Sequence, residues 1–294
     1  MRAMGIEQAR AFLTTHGRQL DRRRFDVLTG GDGHDVLAAL EAYRNPDGGY
    51  GWGIEPDLRA PESQPAGALH ALEAMADAGM TTPRASELLD WLASATLPGG
   101  GLPFALPISD DTGCAPFWAQ ADPREPSLQI TAAVATQAHR VARFDAAISS
   151  HPWLAAATEF CFTEIRALDE APFAYVLSFA LQLLDAASDT VAEARGLLDK
   201  LARFVPSDGA VPVEGGAEGE TLHLLDFAPE PGRPVRELVT AEAVAADLDR
   251  LARGQRDDGG WAVDFDSYSP AAALEWRGYS TVAAVDVLRK NGRW

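Results

Sequence analysis

The sequence predicts an all-α protein, an α/α toroid of about five to six helical hairpins, on three observations. A glycine-rich turn recurs as Asn45-Pro-Asp-Gly-Gly-Tyr50, Leu97-Pro-Gly-Gly-Gly-Leu102, Val205-Pro-Ser-Asp-Gly-Ala210 and Gly254-Gln-Arg-Asp-Asp-Gly-Gly-Trp261. Its glycines at 49, 101, 209 and 260 repeat at roughly 50 residues with one double gap, the period of a helix–loop–helix unit. Apolar residues at helical spacing precede the turns, and a second, alanine-rich and charge-poor set of helical segments follows them. Charged helices alternating with alanine-rich ones suggest an outer and an inner layer.

Taken in order, Ile6–Val27 supplies one helix or a bent pair. The outer set is Val36–Tyr43, Ala85–Ala95, Trp153–Leu168, Val191–Phe204 and Val239–Leu251, four of which run into a glycine turn suited to a left-handed C-cap. The inner set is Ala66–Ala78, Ile130–Arg143, Phe173–Ala187 and Tyr279–Leu288. Pro65, Pro126 and Pro172 stand near inner-helix starts, where a missing N–H costs nothing, and Thr240 and Ser280 are candidate N-caps. After Gly209 the inner helix is missing: Val211–Pro234 is rich in proline and glycine, and only Glu220–Phe227 has helical character. The repeat favours one continuous core, so residues 1–294 are read as a single domain.

Composition narrows the partners. Apolar residues make up 47% of the chain, enough for a globular core. The net charge of −18 repels nucleic acid and anionic headgroups. The two cysteines, Cys114 and Cys161, have no paired spacing and read as free thiols. No apolar run reaches the length of a membrane span or a signal peptide, so a cytoplasmic location is expected.

The run Leu251-Ala-Arg-Gly-Gln-Arg-Asp-Asp-Gly-Gly-Trp261 resembles the QW motif of the prenyltransferase and squalene-cyclase repeat family, with Gln255 and Trp261 at the two defining positions. The other turns carry Tyr50, Leu102 and Val211 in the Trp place. The resemblance implies a toroid of the terpenoid-cyclase type, in which the Gln and Trp tie outer helices together; these residues speak to fold rather than chemistry. The family's alkene-protonating acid sits in a DxDD motif, and Asp264-Phe-Asp266-Ser falls one letter short of it. No DDxxD magnesium motif and no zinc-ligand spacing is present, so neither metal nor cofactor is expected.

Candidate site residues cluster in the loops ahead of the inner helices. Glu55 and Asp57 flank a proline and Arg59 follows, so in extended chain the three share a side as an acid–acid–Arg cluster. Two close carboxylates can share a proton and serve as a general acid. The same acid–x–Arg spacing recurs at Asp122/Arg124 and Glu275/Arg277, a design that fits loop-pinning ion pairs as well as a polar ring around a mouth. Trp52, Trp118, Trp276 and Tyr279 are candidate cavity-lining aromatics, and His70 and His139 lie where an inner helix faces the lumen. The leading expectation is a terpene-cyclase-like enzyme acting without metal on an apolar, isoprenoid substrate, with Asp57, Glu55 or Asp266 as proton donor and Arg59, His70 and the aromatics as binding groups. The alternatives are a non-catalytic toroid that binds a hydrophobic ligand or protein partner, and a carbohydrate-active enzyme using paired carboxylates.

Overall fold

Most helices begin where the sequence supplies a cap or a proline, as a computed structural model describing residues 5–294 shows. In chain order they are α1 (Ile6–His16), α2 (Gln19–Leu28), α3 (Gly33–Leu40), α4 (Pro65–Ala78), α5 (Pro83–Ala95), α6 (Pro116–Ala119), α7 (Leu128–Ala142), α8 (Ala146–Ser149), α9 (Pro152–Ala167), α10 (Ala174–Ala187), α11 (Glu193–Ala202), α12 (Leu224–Phe227), α13 (Ala241–Arg253) and α14 (Pro270–Lys290). Pro65, Pro83, Pro152 and Pro270 open their helices, and the side chains of Thr82, Ser127, Thr240 and Ser269 cap the first-turn N–H groups. The expected bent N-terminal pair forms as α1 and α2, broken at extended Gly17. The last inner helix starts at Pro270 rather than Tyr279, which puts Ser280 inside the helix and makes Ser269 the cap.

The protein is predominantly helical; among the described residues the only sheet is the hairpin β1 (Val211–Pro212) and β2 (Thr221–Leu222), antiparallel with Val211 opposite Leu222. This hairpin occupies the place of the missing inner helix, so only Leu224–Phe227 of the expected helical stretch is helical. The alanine-rich helices pack on one another, α4 on α7 and α7 on α10, because small side chains allow close approach. Two apolar clusters adjoin. One gathers around α3, α4, α5, α7 and α9, the other around α1, α10, α11 and α14, and α9 contributes to both through Cys161 and Phe162.

Three of the four glycine turns share one geometry. The N–H of Asn45, Leu97 and Arg256 each donates to the carbonyl of the glycine four residues on, Gly49, Gly101 and Gly260, at 2.9 Å. Each of these glycines faces an aromatic ring on a helix of another hairpin. A Cβ would sit 2.6 Å from Trp91 of α5 at Gly49, 2.5 Å from Phe160 of α9 at Gly101 and 2.8 Å from Phe12 of α1 at Gly260. The turn after α13 therefore meets α1 as the earlier turns meet α5 and α9.

Candidate functional site

A cavity of about 1140 Å³ opens between α4, α7, α10, α14 and the hairpin. The loop 53–60 feeds it from one side. Glu55 and Asp57 are 6% and 3% exposed, and both border the cavity. The Glu55 carboxylate is fixed by the backbone N–H of Asp57 at 3.1 Å and by His70 Nε2 at 2.7 Å. Asp57 accepts from the Tyr268 backbone N–H at 3.0 Å and from the Trp276 indole Nε1 at 2.7 Å.

His70 lies on α4 and Glu73 one turn further along the same face, so the imidazole is gripped at both nitrogens, with Nδ1 3.3 Å from Glu73. Burial alone would drive the ring neutral. The hydrogen bonds to Glu55 and Glu73 outweigh it and push the His70 pKa up to about 9. Burial likewise opposes the Glu73 charge, but the Arg24 guanidinium and His70 hold the carboxyl well below its usual range. Arg24 reaches Glu73 at 3.0 Å and Asp77 at 2.8 Å, Arg140 reaches Asp77 at 3.0 Å, and the Tyr279 hydroxyl donates to Glu73 at 2.9 Å. Burial and the nearby Glu73 charge push the Tyr279 phenol up. The result is a line of alternating charge along α4, completed from α2, α7 and α14.

Asp57 stands apart from that line. Burial raises its pKa even though the two N–H donors favour the charged form. Aromatic rings crowd around it: Trp276 meets Phe265, Tyr279 and His70 edge-on, with centroids 5.1, 5.4 and 6.0 Å away. Trp118 on α6 is 8% exposed and stacks on Phe104 at 4.4 Å in the same cavity wall.

Of the sequence-predicted site residues, the fold thus brings Glu55, Asp57, His70, Trp118, Trp276 and Tyr279 to one cavity. Three others are placed differently. Trp52 is 59% exposed with φ 58°, a left-handed turn conformation that throws its ring outward to donate to Asn45 at 2.8 Å, so it does not line the cavity. Arg59 does not join Asp57; it is exposed and forms a forked pair with Glu275 at 2.8 and 3.3 Å. Asp266 borders the cavity but is exposed, whereas a proton-donating carboxyl needs a dry setting.

The recurring acid–x–Arg spacing dissolves as a common design, since only Asp122–Arg124 pairs locally, at 2.7 Å, and Arg277 turns to Asp258. His139 does not border the cavity; it shares a hydrogen bond with Thr158 of α9 at 2.9 Å, and burial lowers its pKa to about 4.

Sequence reasoning missed Glu73, Asp77, Arg24 and Arg140. The spacing of His70, Glu73 and Asp77 along one helix face was the available signal; their arginine partners come from other helices. Among the described residues no three His, Cys, Asp or Glu side chains are placed to share a metal ion, and no helix is long and apolar enough to cross a membrane. No protein-family model matches the chain, and no curated protein sequence matches it.

Proposed function

We propose that the chain is an α/α toroid of the prenyltransferase and squalene-cyclase repeat type, and that it performs proton-initiated chemistry without a metal on an apolar, isoprenoid-like molecule in its cavity. The ring reading is supported by the contact of the Gly260 turn with α1, equivalent to the contacts that the earlier turns make with α5 and α9. Gln255 supports it too, donating to the Gly5 carbonyl at the head of α1 at 3.0 Å, while Trp261 Nε1 donates back to Leu251 of α13 at 2.8 Å.

The observation that carries the chemistry is Asp57: a buried carboxyl with raised pKa, on a cavity wall of aromatic rings. Such an acid holds its proton more readily than an exposed one and delivers it into a space where rings stabilise the cation that forms. Glu55, His70 and Glu73 fix the loop and its charge; Trp276 and Tyr268 aim the Asp57 carboxyl. Atoms balance simply: Asp57 gives its proton to a substrate double bond and recovers one when the product cation loses its own.

The test is incubation of purified protein with farnesol, geranylgeraniol and squalene, with and without chelator, followed by product analysis by gas chromatography and mass spectrometry. Wild type and Asp266→Asn should yield the same product and Asp57→Asn none. Undiminished product from Asp57→Asn would remove it as the acid. Tight binding of these molecules without turnover would establish the non-catalytic reading instead. The carbohydrate reading draws on one observation, the half-exposed Phe117 and Tyr268 rings, 5.7 Å apart at the cavity edge, which offer stacking faces to sugars. Release of reducing ends from a glycan panel would favour it.

A further inference from the structure

The hairpin segment 211–222 of the cavity wall is weakly attached to the rest of the protein. Its backbone hydrogen bonds are internal: Val213 N–H to Glu220, Gly216 N–H to Val213, Glu220 N–H to Ala217, and the short antiparallel ladder. Among the described residues one hydrogen bond joins it to the remainder, from the Tyr175 hydroxyl of α10 to Glu220 at 2.7 Å. Among the described residues no ion pair involves it. Val213 and Glu220 are its only buried residues.

The two ends of the segment meet at one point. Gly209, at φ 73°, lies so near Leu224 that a Cβ would stand 2.6 Å from the leucine side chain. Beyond it, α12 is anchored firmly: Leu224, Leu225 and Phe227 are buried, and the Leu225 N–H donates to Asp247 at 2.9 Å. A loop with adjacent, fixed ends can swing without disturbing what it is attached to. Within it, Gly215 and Gly219 adopt positive φ and face open space, so nothing packs against the tip.

Besides the apolar contacts of Val211 and Val213, Glu220 is the polar feature that resists opening. It is 9% exposed and has no basic partner among the described residues; the Tyr175 hydroxyl and the Ala217 N–H at 2.8 Å hold it. A buried carboxylate without a countercharge regains full hydration when it leaves, which offsets much of what the lost hydrogen bond contributed. The helices of the cavity wall, by contrast, are packed on their neighbours. Opening there would require unpacking apolar cores.

We propose that residues 211–222 form a flap through which a compact apolar ligand enters and leaves the cavity, latched by the hydrogen bond from Tyr175 to Glu220. The inference rests on the cavity wall alone and not on the chemistry assigned to Asp57.

Two measurements on the intact protein test it. Amide hydrogen exchange compares residues 213–221 with α7 and α10. Stopped-flow fluorescence follows entry of N-phenylnaphthylamine, an uncharged apolar probe. Tyr175→Phe removes only the donor and keeps the ring stacked beside Phe179. It should speed exchange in 213–221 about tenfold, leave α7 and α10 unchanged, and raise the probe association rate severalfold. Glu220→Gln should move both readouts in the same direction.

Unchanged exchange and unchanged association in both variants would overturn the flap. Asp57→Asn, on a different wall, should alter neither readout. Loss of turnover in Asp57→Asn beside unaltered access in Tyr175→Phe would reject the flap and leave the acid in place. Faster access in Tyr175→Phe with full turnover in Asp57→Asn would do the reverse.

Discussion

The indole of Trp276 donates its Nε1–H to Oδ2 of Asp57 at 2.7 Å, joining residues 219 positions apart. Replacing Trp276 with Phe keeps a ring in the aromatic cluster but leaves the carboxyl with the Tyr268 N–H as its remaining donor. We expect Trp276→Phe to destabilise the protein by about 1–3 kcal/mol, measured by urea denaturation. The Asp57 pKa should rise further, read from the carboxyl carbon shift by NMR. An unaltered Asp57 titration would show that the indole does not tune the acid.

Stability should depend on pH through His70. Its folded pKa of about 9 exceeds the ordinary value of 6.5, so the ring's contribution is complete below pH 6.5 and is lost as pH rises through 9. The loss amounts to about 3 kcal/mol. His70→Gln should flatten the fall in denaturation midpoint between pH 6.5 and 9. A wild-type midpoint constant over that range would mean the imidazole is not charged in the fold.

Glu73→Gln removes the charge that faces Arg24, His70 and Tyr279 together. Arg24 keeps Asp77, but Glu73 is the carboxylate that joins α4 to both α2 and α14. Breaking a buried pair from one side typically costs about 3–5 kcal/mol. Thermal unfolding by calorimetry should register this, and Tyr279→Phe should cost less, because it removes a neutral donor.

Gly260→Ala should be strongly destabilising, because the added methyl would stand 2.8 Å from the Phe12 ring. Overpacking of this kind costs about 1–3 kcal/mol. Gly215→Ala, by contrast, places a side chain at positive φ but in open space, so its penalty should be limited to backbone strain of about 1 kcal/mol. In the double variant Phe12→Ala with Gly260→Ala, the second substitution should become nearly neutral. Additive penalties would show that the two residues do not meet.

The helices were legible because their signals are local. Glycine turns, proline starts and apolar spacing sit within a few residues of the element they define, and Thr240 caps α13 as its position suggests. Glu55, Asp57 and His70 were legible as candidates for the same reason: a loop that leads into an alanine-rich helix delivers its side chains to the cavity that helix borders. What escaped depends on partners distant in sequence. Asp57 and Arg59 are two residues apart, yet the acid turns inward to Trp276 and the arginine outward to Glu275. Trp52 was misplaced because a left-handed backbone at a bulky residue leaves no trace in composition. Glu73 was overlooked because its importance comes from Arg24 and Tyr279, which the fold brings from opposite ends of the chain.

The contact between Phe12 and the Gly260 turn also bears on how the protein comes to be made. During synthesis α1 emerges long before residues 254–261, and until then the ring of Phe12 has no glycine turn to rest against. Contacts of such sequence separation form late and slow the final step of folding. The half-made chain would present α1 as an unsatisfied apolar surface, a point where a chaperone would be expected to hold on. A circular permutant opened at the Gly215–Gly219 tip would cut the sequence separation of Phe12 and Gly260 from 248 positions to about 50 and should shorten that wait.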